Sequence, residues 1–190
     1  MKTKVKWSWI FVSISITLIG MTKLLLAEVE LCSLEKMANV EPGYECQAGD
    51  LHGNAIWQLQ VKTARGKKVW KNLTTGLLVS DILDEKFTQY QAEDICTNPS
   101  SLEARGNLSM INWSLPTGYP PKSSNEKNSD FETLEANGVR KVIDTNGRYF
   151  WSSSVDPNYS YDAFGFDGNN GHIEVSNRSR GNGFVLCVGR

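Results

Sequence analysis

Four cysteines constrain this chain more than any other feature. Cys32, Cys46, Cys96 and Cys187 all follow an N-terminal stretch with the layout of an export signal. Lys2, Lys4 and Lys6 come first, then an apolar run from Trp7 to Gly20 diluted by Ser and Thr. Leu24-Leu25-Leu26-Ala27 then leads into the acidic Glu28 and Glu30. We read residues 1–27 as a signal peptide cleaved after Ala27. The second reading is an uncleaved anchor, because Trp7 to Leu26 is nearly long enough to span a bilayer. Cys32 does not follow the small residues that a lipoprotein signal needs. An even cysteine count in an exported chain implies disulfides, and four cysteines allow three pairings. Cys32 and Cys46 bracket one short segment, so a local bridge between them is the economical choice. With no CxxC motif and only His52 and His172 as histidines, a zinc site is not expected.

Charge narrows the partners. The chain carries 20 Lys/Arg and 21 Asp/Glu. Four of the lysines and none of the acids lie in residues 1–27, so the remainder stands at -5. A mildly acidic body argues against nucleic acid as the main partner.

Local patterns give an α+β chain. Glu35-Lys36-Met37-Ala38 suits a short helix of one or two turns. Trp57, Leu59 and Val61 share one face of a strand over 55–63, and 64–67 turn into a return strand from Lys68. Thr75-Gly76 makes another turn before Leu77-Leu78-Val79. Thr88 is a candidate N-cap with Gln91 at the capping-box position, and Tyr90, Ala92, Ile95 and Cys96 form the expected buried side of that helix. Asn98-Pro99 ends it, and 99–109 read as loop. After Leu115-Pro116-Thr117 comes a polar insertion that begins at Pro120-Pro121. Ser129 or Asp130 caps a second helix with Phe131, Leu134, Val139 and Val142 on its apolar side, interrupted at Asn137-Gly138. The last forty residues read as antiparallel strands, with a hairpin at Asn170-Gly171 and Phe184 to Val188 closing their sheet.

The ordered set Val69-Trp70-Lys71-Asn72, Thr75-Gly76-Leu77-Leu78, helix 92–96, Trp113-Ser114-Leu115-Pro116-Thr117, Phe150-Trp151-Ser152-Ser153 and Val185-Leu186-Cys187-Val188 resembles the Lcl C-terminal-domain family of bacterial exported proteins. Val79-Ser80 stands where that family commonly has an aromatic residue, and Ser114 where a basic residue usually precedes Leu-Pro-Thr. The resemblance covers residues 69–190 and implies a C-type-lectin-like fold, with two helices flanking a twisted antiparallel sheet whose N- and C-terminal strands are paired. It also implies a Cys96–Cys187 bridge from the first helix to the last strand, leaving Cys32–Cys46. Residues 28–68 are then a cysteine-bearing segment with a β-hairpin ahead of the domain. The compartment implied is the periplasm, the cell surface or the medium.

The functional expectation follows from loops rather than framework. Asp156, Asn158, Tyr159 and Tyr161 lie in one polar connection, and Asn169, Asn170, Arg178, Arg180 and Asn182 in the next two. Rigid aromatics with adaptable Asn, Ser and Arg are the residues that binding surfaces use. We therefore expect a non-enzymatic recognition module whose partner is a polysaccharide, as the resemblance implies, or a surface protein. A membrane is a partner only if the N-terminal segment is uncleaved. A structural component of the envelope or of a surface appendage is the alternative. An oxidoreductase of the formylglycine-generating type, a related fold, needs free thiols, and all four cysteines have structural partners. The motifs Glu-Pro-Asn, Gln-Pro-Asp and Trp-Asn-Asp of calcium-dependent sugar-binding lectins are absent. Asp167-Gly-Asn-Asn-Gly171 has oxygen ligands at short spacing but no bidentate acid after them, so a turn is preferred to a Ca²⁺ loop and no cofactor is expected. Five Asn-x-Ser/Thr sequons, at Asn72, Asn107, Asn112, Asn158 and Asn177, carry no functional weight in a chain this rich in Asn, Ser and Thr.

Overall fold

The strand over Trp57 and Leu59 forms where the alternation places it, and the sheet grows from there. The structure is a computed structural model that describes residues 29–98, 111–119 and 128–190. The signal segment 1–27, the loop 99–109, the start of the insertion at 120–127 and the Asn107 sequon lie outside the described residues. In chain order the elements are α1 (Leu34–Met37), β1 (Glu45–Gln47), β2 (Ile56–Lys62), β3 (Lys68–Asn72), β4 (Leu78–Ser80), α2 (Gln89–Thr97), β5 (Trp113–Ser114), α3 (Asp130–Ala136), β6 (Tyr149–Val155), β7 (Asp162–Asp167), β8 (Ile173–Asn177) and β9 (Val188–Gly189). The chain is α+β, with antiparallel strand pairing and few helices.

The strands form two sheets. The larger has the order β1-β2-β3-β4-β9-β5, the smaller β6-β7-β8. The larger sheet is buried on both faces because neighbouring residues in a strand point to opposite sides. Trp70, Val79 and Val188 join Trp57 and Leu59 in one core, which α3 covers with Phe131 and Leu134. Val69, Leu78 and Cys187 face the other core, which α2 covers with Ala92 and Cys96. A bulge in β2 between Leu59 and Val61 lets that strand feed both sides: Leu59 faces Trp70, and Val61 faces Val69. The expected division after residue 68 falls inside β3, which pairs with β2, and Trp57 shares its core with Phe131.

Closing of the sheet differs from the sequence expectation. Phe184 to Val188 does not join the strands of residues 149–177. β9 instead inserts between β4 and β5 in the larger sheet, and Phe184 makes only a parallel bridge to Phe150. The cause is the continuous apolar run. Val185, Leu186, Cys187 and Val188 are all buried, which needs protein on both sides. Ser80 fixes the join, since its N–H donates to the Cys187 carbonyl at 2.9 Å and its Oγ accepts from the Cys187 N–H at 2.9 Å.

Both disulfides are present, Cys32–Cys46 and Cys96–Cys187, and no cysteine is free. The second ties α2 to the segment entering β9. α2 starts with the capping box expected at Thr88 and Gln91. Its buried residues are Gln89, Ala92 and Cys96, however, and Tyr90 is exposed. The spacing i, i+3, i+7 puts those three on one stripe and turns Tyr90 outward. α3 is capped by Ser129 with Glu132 and stops at Asn137, after which Val139–Lys141 make a 3₁₀ turn. The Leu-Pro-Thr stretch is framework. Leu115 is buried, the Thr117 N–H and hydroxyl donate to Asp130 Oδ2 at 2.8 and 3.0 Å, and Asp130 N–H donates back to Thr117 Oγ1 at 2.8 Å. Asn72, one of the sequons, is also framework: it is buried, and its Oδ1 accepts from the N–H groups of Thr74 and Thr75.

Candidate ligand-binding face

The small sheet decides which loops can meet. Connections at successive hairpins of an antiparallel sheet alternate between its two ends. β7 runs from Asp162 to Asp167, about 17 Å at the rise of an extended strand. The connection 156–161 and the one after β8 therefore share one end, and the β7–β8 loop lies at the other. Asp156, Asn158, Tyr159, Tyr161, Arg178, Arg180 and Asn182 fall at the first end, and Asn169 and Asn170 at the second. The nine residues expected as one face are two groups.

At the first end the backbone is held by short local bonds. Asp156 N–H donates to the Asp162 carbonyl at 3.0 Å, Asp162 N–H to Tyr159 at 2.9 Å, and Asn158 N–H to Asp156 Oδ1 at 2.8 Å. This tight loop pushes Tyr159 and Tyr161 outward, 54% and 57% exposed, with ring centroids 5.8 Å apart. Arg178 does not behave as a ligand-facing cation. Its side chain is only 15% exposed. Its Nε donates to Gln89 Oε1 at 2.9 Å, its Nη1 to the Ser160 carbonyl at 3.3 Å, and its guanidinium lies 4.3 Å from the Tyr90 ring centroid. Gln89 is fully buried and donates in turn to the Ser152 carbonyl of β6 at 3.1 Å. One part-buried Arg–Gln pair thus joins the loop 156–161, the end of β8 and the first turn of α2. It sets Tyr90 beside the region that presents Tyr159 and Tyr161. Asn158, Arg180 and Asn182 stay exposed in the same two connections. Residue spacing had hidden Tyr90. The stripe Gln89-Ala92-Cys96 was the available signal.

The second end is a different surface. Asn169 and Asn170 sit in a loop of residues 168–171 in which only Gly171 has a positive φ, 80°. The hairpin expected at Asn170-Gly171 exists, but it is this longer loop and not a two-residue type I′ turn, which needs positive φ at both residues. Asp167 is occupied by the loop itself: its carboxylate accepts from Asn169 N–H at 2.8 Å and from the side-chain amides of Asn169 and Asn170, each at 2.9 Å. Asn169 also lines a cavity of about 300 Å³ with Leu34, His52, Arg140, Lys141 and Asp144. Arg140 is paired with Glu135 and donates to the Asn169 carbonyl. No group of three or more His, Cys, Asp or Glu that would hold a metal ion occurs among the described residues.

Tyr149 stands between the two ends. Its ring lies across Gly165, where a Cβ would come within 2.3 Å of Tyr149 Cζ. The phenol oxygen is buried with no hydrogen-bond partner. Burial, reinforced by the charge of Glu174, holds its pKa well above the ordinary tyrosine value.

Flat rings offer C–H/π and apolar contact, and phenol and amide groups donate and accept. No known family model matches the chain, and no curated protein matches it.

Proposed function

We propose that this chain is an exported, non-enzymatic recognition module of the Lcl C-terminal-like, C-type-lectin-like kind, which binds a polysaccharide through the Tyr90, Tyr159 and Tyr161 face. The observation that carries the reading is the anchoring of that face: three exposed tyrosines stand around a part-buried Arg178 held by the buried Gln89. Exposed aromatic rings cost solvation, and a buried polar pair that orders their loops gives a ligand a preorganised surface. The two disulfides, with no cysteine left free, suit an oxidising compartment outside the cytoplasm. Among the described residues no helix is long and apolar enough to cross a membrane.

A glycan array probed with the full chain tests this, followed by titration of the best hit. Tyr159→Ala and Tyr161→Ala should each weaken binding about tenfold or more, as expected for aromatic contact residues. Asn170→Ala, at the far end, should leave it unchanged. Equal binding by all three variants would remove the tyrosine face from the reading. If no glycan binds while envelope proteins are recovered in a pull-down, the chain is an assembly component.

A further inference from the structure

The small sheet leaves one strand edge open. Bonds at the two ends of the β7–β8 ladder fix which way its backbone groups point: Asp167 N–H donates to the His172 carbonyl and Arg178 N–H to the Tyr161 carbonyl, each at 2.9 Å. Bonding alternates along an antiparallel ladder, so Glu174 and Ser176 face β7, while Ile173, Val175 and Asn177 turn their N–H and C=O groups away from it. Among the described residues no strand lies beyond them. Two comparable edges are covered. Glu30 and Cys32 bond to Gln47 along β1, and Phe184 and Pro116 bond to Tyr149, Trp151 and Ser153 along β6. Edges are ordinarily blunted by Pro, Lys or a bulge. β8 has none of these: it reads Ile-Glu-Val-Ser-Asn, and its register with β7 is unbroken. An apolar row also stops at this edge. Val175 stands opposite Phe164 and is 48% exposed, and Tyr119 stacks on Phe164 with ring centroids 4.8 Å apart. Directly opposite residues share a face, so Tyr119, Phe164 and Val175 run across the sheet and end in solvent.

We propose that two copies of this chain associate through β8, antiparallel about a two-fold axis at Val175, joining their small sheets into one. The edge is complementary to itself in that register. Each Val175 exchanges both backbone bonds with the Val175 of the second copy, and each Asn177 N–H meets an Ile173 carbonyl. Val175 meets Val175 on the apolar face, so the two rows become one. On the other face Glu174 stands opposite Ser176, and no like charges are directly paired. The neighbouring registers are worse. Sliding the copies by two residues one way sets Glu174 opposite Glu174. Sliding them the other way carries Ile173 past Asn177, where the chain has already turned: Arg180 N–H donates to the Asn177 carbonyl at 3.1 Å. Charge and turn together select the register centred on Val175. The two tyrosine ends then point opposite ways along the shared sheet. The inference does not depend on what the tyrosines bind.

Sedimentation equilibrium of the oxidised exported protein between about 1 and 200 μM should show a monomer–dimer equilibrium. Val175→Lys sets two ammonium groups opposite each other at the axis and should weaken association about tenfold or more, with the urea midpoint of the monomer little changed. Cross-linking reads the register independently, in chains whose two native disulfides are verified by peptide mapping. At the axis the two Cα atoms stand about 5.5 Å apart, within disulfide reach, so Val175→Cys should give a covalent dimer under mild oxidation. Ile173→Cys lies about 13 Å from its own copy along the strand and should not. A protein that stays monomeric throughout the range overturns the proposal and leaves the edge to a strand of another protein. A dimer that survives Val175→Lys, or that cross-links through residue 173 as readily as through 175, overturns it too. The cysteine pair keeps the result decisive if the lysine variant fails to fold.

Discussion

Replacing Arg178 with alanine tests whether the tyrosine end is built from inside. Four contacts would go, the longest hydrogen bond being that from Nη1 to the carbonyl of the exposed Ser160 at 3.3 Å. Gln89 Oε1, on a fully buried side chain, would lose its donor at 2.9 Å, and an orphaned buried acceptor costs about 1–3 kcal/mol. The guanidinium over Tyr90 at 4.3 Å adds about 0.5–1 kcal/mol. The Glu93 contact, 4.0 Å with a part-exposed carboxylate, adds nothing countable. The sum is about 1.5–4 kcal/mol. Urea unfolding of the oxidised protein should show it as a midpoint lowered by about 1 M at unchanged m. Gln89→Leu removes the other half of the pair, and a double-mutant cycle with Arg178→Ala should give a coupling of about 1 kcal/mol or more. Arg178→Lys keeps the charge but not the planar fork, and should recover less than half of the loss. An Arg178→Ala chain within about 0.5 kcal/mol of the parent would refute the reasoning and make Arg178 an ordinary rim residue.

Other expectations are simpler. Removing Cys96–Cys187, which closes 91 residues, should cost about 4.5 kcal/mol of chain entropy, against about 3 for Cys32–Cys46, which closes 14. Paired alanine variants compared by thermal unfolding give the order, and the reverse order would contradict it. For Tyr149 the raised pKa means that the folded state holds its proton where the unfolded chain loses it. Its contribution is therefore complete below the ordinary tyrosine value near 10 and falls as pH rises beyond it. Tyr149→Phe should match or exceed the parent in stability at pH 7, because it removes a buried hydroxyl without a partner, and should lose less between about pH 10 and 11. A steeper alkaline loss in the variant would contradict this.

What could be read from sequence was what neighbours in sequence decide. The Thr88–Gln91 capping box, the Trp57–Leu59 alternation and the helix stop at Asn137-Gly138 rest on bonds within a few residues, and all formed. The position of β9 did not, because its partner Ser80 is 107 residues earlier and no local pattern carries that distance. Arg178 was misread because a cation flanked by Asn and Ser looks solvated until Gln89, 89 residues away, is packed against it. The split of the loop residues was within reach, since consecutive hairpin loops of an antiparallel sheet must point opposite ways. Treating Asn169 and Asn170 with Tyr159 ignored that rule.

The placing of β9 has a consequence for the order of assembly. The larger sheet is incomplete in its interior, not at its rim, until residue 189 arrives: β4 and β5 have no common neighbour before then. Such a sheet has to wait for its last member, and long-range pairing of this kind makes folding slow. For a chain exported unfolded, as proposed above, this delay is an advantage. Such a chain would stay threadable until its last strand has crossed, and Cys96 would meet Cys187 only at the end of export. The apolar run 184–188 then acts as a keystone, and fold and second disulfide close in the same event.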